Sequence, residues 1–177
     1  MEHYQPATFY THVERLYMGG INSLELKGFI TNAVSQVFDT MLSMQIDSID
    51  DGQTENYNGG QIVSTVGFAG KVLGNLNLHV GEEFAIQMTA AMLGMEPDEI
   101  DGDEEVHDVI GEVCNMIGGD LKSRLCDCGL TCELSIPSIT TGKEFRVESH
   151  GWDRSERFGF SSNGHTARVE VFMKTGD

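Results

Sequence analysis

The sequence predicts an α+β domain: two long helices on one face of a largely antiparallel sheet of about six strands, plus one shorter helix. Three observations lead there. Residues 22–44 and 103–125 each carry an apolar stripe at helical period. Residues 71–80, 157–161 and 167–173 alternate apolar with polar, and the last two flank Asn163-Gly164, the strongest short-range hairpin signal. A chain of 177 residues with 40% hydrophobic content is also long enough to bury one core. Each half opens on a long helix and continues into strands, a faint pseudo-twofold plan.

Residues 1–20 show no clear period and form an N-terminal extension to a domain at 21–177. Asn22 and Glu25 have capping-box spacing, after which Leu26, Ile30, Ala33, Val34, Val37 and Phe38 begin a stripe that runs to Met44. Asp47 to Gly60 is rich in Asp, Asn, Gly and Ser and reads as a loop with room for a short strand. Ile62–Ala69 and Lys71–Val80 read as strands joined near Gly70. In the second, Asn75, Asn77 and His79 alternate with Leu76, Leu78 and Val80, which predicts one wet face, with His79 on it, and one packed face. Glu82–Leu93 reads as a helix with Phe84, Met88, Ala91 and Met92 inward and Gly94 as its stop. Glu96–Asp103 lacks the acid positions of a calcium loop and reads as an acidic lead-in to the next helix.

That helix, DEEVHDVIGEVCNMIGGDLKSRL, has acids at its start and Lys122 and Arg124 near its end, matching the helix dipole. Val106, Val109, Ile110, Val113, Ile117 and Leu121 fall on one arc; Asp108, Glu112, Asn115, Gly119 and Lys122 fall on the other. Glu112 and Asn115, three apart, project together. The pair Gly118-Gly119 weakens a helix by roughly 1 kcal/mol per glycine, which close approach by a partner's backbone would explain. Beyond it come a strand at Leu130–Ile136, a turn at Thr140-Thr141-Gly142, alternation at Phe145–Glu148 and the hairpin.

Charge excludes some functions. With 11 Lys plus Arg against 28 Asp plus Glu, a net charge of −17 repels nucleic acid and anionic membrane surfaces. No leader pattern and no run of about 18 apolar residues occurs, so a cytoplasmic protein is expected. Cys126, Cys128 and Cys132 lack a fourth ligand at zinc spacing and read, with Cys114, as reduced thiols. No histidine is spaced to activate Cys114 as a nucleophile.

The pattern Glu112-x-x-Asn115-x-x-x-Gly119 resembles the active-site helix of the chemotaxis phosphatases, the family of CheC, CheX and FliY. EEFAIQMTAAMLGM is similar to the short helix before it in that family, and IPSITTG to the strand and turn after it. The similarity runs from about Asn22 to Lys174. Where two-site members carry a second Glu-x-x-Asn on the first helix, this chain has Phe29-Ile-Thr-Asn32, so one site, as in CheX-like members, is expected. Asn32 then reads as an ordinary surface residue.

The resemblance implies hydrolysis of the phosphoaspartate of a CheY-type response regulator. Asn115 would orient the attacking water and Glu112 would dock against the regulator's active-site lysine, with Asp108, Gly119 and Lys122 completing the partner-binding face. It implies no metal or cofactor on this chain, Mg2+ on the regulator, and a homodimer. A non-catalytic adaptor would bind a regulator through the same face. A metal-binding sensory module would use the cysteines instead.

Overall fold

The computed structural model describes residues 20–50, 57, 60–143, 145 and 147–176, so the N-terminal extension other than Gly20 lies outside the described residues. Helix α1 spans Leu26–Val37 and continues through a wider π-helical turn, Phe38–Leu42; α2 spans Glu82–Leu93 and α3 Asp103–Asp127. The strands are β1 (Asp47–Ile49), β2 (Gln61–Gly70), β3 (Val72–Gly81), β4 (Cys132–Leu134), β5 (Ser138–Gly142), β6 (Arg154–Ser162) and β7 (His165–Thr175). They form one antiparallel sheet in the order β1-β6-β7-β3-β2-β4, with β5 continuing the line of β4 along β2. Seven strands thus occupy the expected six positions.

Local sequence explains the hairpins. Asn163 and Gly164 both have positive φ, 49° and 84°, and bring Ser162 opposite His165. The two-residue turn twists with its strands, which sets the register of β6 on β7. The β2–β3 and β3–β7 registers align Val66, Leu76 and Val171 on one face, each fully buried. All three helices cover this face, contributing Ile30, Phe84, Ile110 and Ile117 to the core. The Phe38 and Phe84 rings, 6.1 Å apart, join the π-helical turn to α2. None of the described helices is long and apolar enough to cross a membrane.

Several expectations need correction. The Asn22–Glu25 capping box does not form: residues 20–23 make a 3-10 turn and Glu25 caps α1 without a side-chain hydrogen bond. In α2, Ala91 is exposed while Ala85, Thr89 and Ala90 are buried, because a nearly all-apolar helix leaves its roll to its neighbours. The strand at 130–136 shrinks to Cys132–Leu134, since Pro137 offers no N–H to continue the ladder. Thr140 and Thr141 are strand rather than turn, paired with Val63 and Ile62 of β2, where β-branched side chains are favoured. Phe145, Val147 and Glu148 lie outside any strand.

The larger correction concerns the other face of the sheet. It is polar but not wet: His79 is 1% exposed, Asn77 2% and Glu170 1%. His79 Nε2 lies 3.0 Å from Glu170 Oε2, and Arg157 Nε lies 3.0 Å from Glu170 Oε1, with Arg168 Nε at 3.5 Å. An ionised carboxylate only accepts, so Nε2 carries the imidazole proton and Nδ1 accepts from the Gln61 amide at 3.1 Å. Burial by itself would raise the Glu170 carboxyl. The His79 hydrogen bond, with the charges of Arg168 and Arg157, outweighs it and holds the group below the ordinary glutamate value. On the same face Phe172 meets the ring of Trp152, just ahead of β6, at 6.5 Å.

Candidate functional site

Helix α3 is positioned from beneath. Its inner arc, Val106, Val109, Ile110, Val113, Ile117 and Leu121, is at most 6% exposed, as the periodicity predicts, and it extends to Leu125. Gly111, Cys114 and Gly118 are buried as well. A β-carbon on Gly118 would stand 2.7 Å from Val66 Cγ2. Gly118 therefore serves close packing of α3 on this chain's own β2, which corrects the expectation that a partner's backbone accounts for both glycines. Gly119 has nothing within 4 Å of its β-carbon position and faces open space.

The chain following α3 doubles back along its flank. Lys122 Nζ is 2.7 Å from Glu133 Oε2; Leu134 Cδ1 lies 3.8 Å from the β-carbon position of Gly118; Pro137 Cβ lies 3.8 Å from that of Gly111. Asp108 and Glu112 are exposed, and Asn115 and Gly119 are half-buried, on the helix surface beside this flank. Among the described residues, the side chains of Glu112 and Asn115 have no hydrogen-bond or ion-pair partner. A carboxylate and a carboxamide are thus presented side by side on a rigid helix, free to engage something else.

Lys122 differs from the other four candidates. Its hydrogen bond to Glu133 raises the ammonium pKa and commits the charge within the chain. Arg124 pairs with Asp120 and stacks 5.6 Å above the Phe29 ring, where two-site relatives of the predicted family would carry the second acid. That pairing fills the position with structure. Asn32 is exposed.

The cysteines are free. Cys114 is fully buried, donates to the Ser64 carbonyl at 3.3 Å, and has its thiol pushed up to about 11, chiefly by burial. Burial also raises Cys128 and Cys132. No group of three or more His, Cys, Asp or Glu side chains that could hold a metal ion occurs among the described residues.

Glu112 and Asn115 do not line a cavity of about 300 Å³ formed by the starts of α2 and α3, which has Ile62, Ile86, Ile100 and Val106 with Glu82, Asp103 and His107 around it. Nor do they line the clefts of about 540 and 320 Å³ beside β6 and α1. Exposed and half-buried on the helix surface outside these three cavities, the pair suits contact with a macromolecule better than enclosure of a small molecule. Sequence reasoning also missed the exposure of Ile136, which is 88% exposed in the connection between β4 and β5. Nothing in its local pattern distinguishes it from a core strand residue.

Comparison with known proteins follows the same lines. Residues 62–160 match the family model described as chemotaxis phosphatase CheX. The CheY-P phosphatase CheX of Thermotoga maritima is 30% identical over 91 residues, 51% of this chain and 57% of that protein, so the match spans little more than half of the relative's length. The CheX of Vibrio vulnificus superposes with a TM-score of 0.72 at 24% identity, covering 85% of this chain and 97% of that one. A CheX–CheY–BeF3–Mg2+ complex from Borrelia burgdorferi gives a TM-score of 0.64 at 22% identity over 84% and 97% of the two chains. At these identities the two structures speak to the fold.

Proposed function

Because the chain belongs to the CheX family of chemotaxis phosphatases, we propose that it hydrolyses the phosphoaspartate of a CheY-type response regulator in chemotaxis signalling. One observation carries the reading: Glu112 and Asn115 project together from the outer face of α3 with no side-chain partner among the described residues. The Thermotoga maritima relative is a CheY-P phosphatase, and the Borrelia burgdorferi protein is in complex with CheY, which support carrying that substrate over.

Hydrolysis breaks the bond between phosphorus and the aspartyl oxygen while water attacks phosphorus from the opposite side. The products are inorganic phosphate and a free carboxylate. Positioning supplies most of the rate in such a reaction. Asn115 suits it: its carbonyl oxygen accepts a hydrogen bond from the water, and a neutral amide does not repel the phosphoryl oxygens. Glu112 would be repelled by them, and instead pairs with the regulator's active-site lysine, fixing register. Asp108 and Gly119 extend the docking face, Gly119 by leaving room, and Lys122 with Glu133 forms its end. Mg2+ resides on the regulator, held by that protein's acids. The working unit is a homodimer in the cytoplasm.

The test is the decay of a phosphorylated CheY-type regulator with Mg2+, alone and with substoichiometric wild-type or Asn115→Ala protein. Multiple turnovers by wild type, lost in the variant, are expected. Binding without turnover across a panel of regulators would replace the phosphatase with a non-catalytic adaptor.

A further inference from the structure

We propose that Ile136 is the apolar anchor by which the regulator is held on the α3 face, a residue that sets affinity and takes no part in the chemistry. The inference rests on the phosphatase reading and adds to it the docking contact. Three pairings fix where Ile136 stands. Glu133 lies at Lys122, Leu134 at Gly118 and Pro137 at Gly111, so the chain runs antiparallel to α3 along positions 122, 118 and 111. Residue 115 belongs to that same stripe, at the spacing of one helical turn between 111 and 118. Ser135 and Ile136 therefore flank the turn that carries Asn115.

The backbone there is pinned on both sides. Ser135 N–H donates to the Gly67 carbonyl at 2.8 Å. Ser135 Oγ accepts from Gly67 N–H at 2.9 Å and donates to the Ile136 carbonyl at 2.9 Å. Pro137 restricts the backbone of the residue before it, Ile136. An isoleucine 88% exposed on so constrained a backbone cannot retreat into the core. Its apolar surface is left in water at the turn that carries Asn115, the pattern of an interface whose central contact is apolar and whose rim is polar. The occupant is the partner that reaches Asn115: a folded regulator with an apolar recess within reach of its phosphoaspartate.

Ile136→Ser removes the anchor and, at an exposed site, leaves the fold unchanged; Ile136→Leu keeps it. Burial of one isoleucine predicts a rise in KM of roughly tenfold or more for Ile136→Ser, with kcat unchanged and Ile136→Leu near wild type. Binding to a regulator loaded with beryllofluoride, a phosphoryl mimic, should weaken by the same factor. Wild-type turnover with an Ile136→Ser KM within about twofold of wild type overturns the inference alone. So does a loss of kcat at constant KM, or a wild-type dimer that Ile136→Ser dissociates while KM stands, since the occupant is then a second copy. Wild-type protein that neither turns over nor binds any regulator of the panel overturns both proposals.

Discussion

Gly118 and Val66 meet so closely that α3 can lie on β2 only because residue 118 has no side chain: a β-carbon there would be 2.7 Å from Val66 Cγ2. The adjacent Gly119 has nothing within 4 Å. Alanine substitution should therefore split the pair. Gly118→Ala gains about 1 kcal/mol of helix propensity but overpacks a β-branched, fully buried neighbour by about 1–3 kcal/mol, for an expected net loss of about 1 kcal/mol. Gly119→Ala should gain about 0.5–1 kcal/mol. Urea midpoints at constant slope measure both, and equal shifts would show that Val66 yields freely.

Charge and amide on α3 should be separable in binding. Glu112→Lys reverses the charge proposed to face a lysine, so its affinity for a beryllofluoride-loaded regulator should fall by about tenfold or more. Asn115→Ala should bind within about threefold of wild type yet lose about a hundredfold or more in turnover, as expected of a group that positions water. Equal affinities for the two variants would remove the docking role from Glu112.

The buried Glu170 makes stability depend on pH in a predictable direction. Its folded pKa lies below the ordinary 4.5, so its contribution is fully present above the unfolded value and is lost as pH falls through the folded one. Wild type should lose stability on acidification below about pH 4.5, and Glu170→Gln should flatten that limb. At neutral pH the same variant keeps one accepting oxygen but replaces the other with an NH2 donor and removes the charge shared by His79, Arg157 and Arg168, at an expected cost of about 3 kcal/mol. Denaturation curves across pH 3–7 would reveal both effects; an unchanged acid limb in Glu170→Gln would assign it to other groups.

Thiol labelling should follow burial. With its pKa near 11 and no exposed surface, Cys114 should resist alkylation at pH 8 in the native protein and react only on unfolding. The partly exposed Cys126 and Cys128 should label in the native state. Mass spectrometry of digests distinguishes the four positions, and native labelling of Cys114 would indicate that α3 lifts from β2.

Much of this molecule is legible locally. The span and buried arc of α3, the stop of α2 at Gly94 and the β6–β7 register through Asn163-Gly164 follow from helical period, left-handed glycine and turn chemistry. Glu112 and Asn115 share a face because they are three residues apart on a helix. The roll of α2 and the extended state of Thr140 and Thr141 are not legible in this way, since both depend on which neighbours the chain meets.

Interactions within a few residues therefore set the elements, their inner and outer faces, and the two polar groups of the candidate site. The tertiary structure decided the rest. Alternation at Asn75, Asn77 and His79 marks a polar face, but only the register of β3 on β7 places Glu170 with His79, and only the assembled sheet brings Arg157 of β6 to the same carboxylate and leaves the pair buried. The same holds for Ile136: its sequence reads as core, and it is left in water because Ser135, bonded to Gly67, and Pro137, packed at Gly111, hold its backbone at the rim of α3. Burial and pairing depend on residues brought together from far apart in the chain, and no local pattern carries that information.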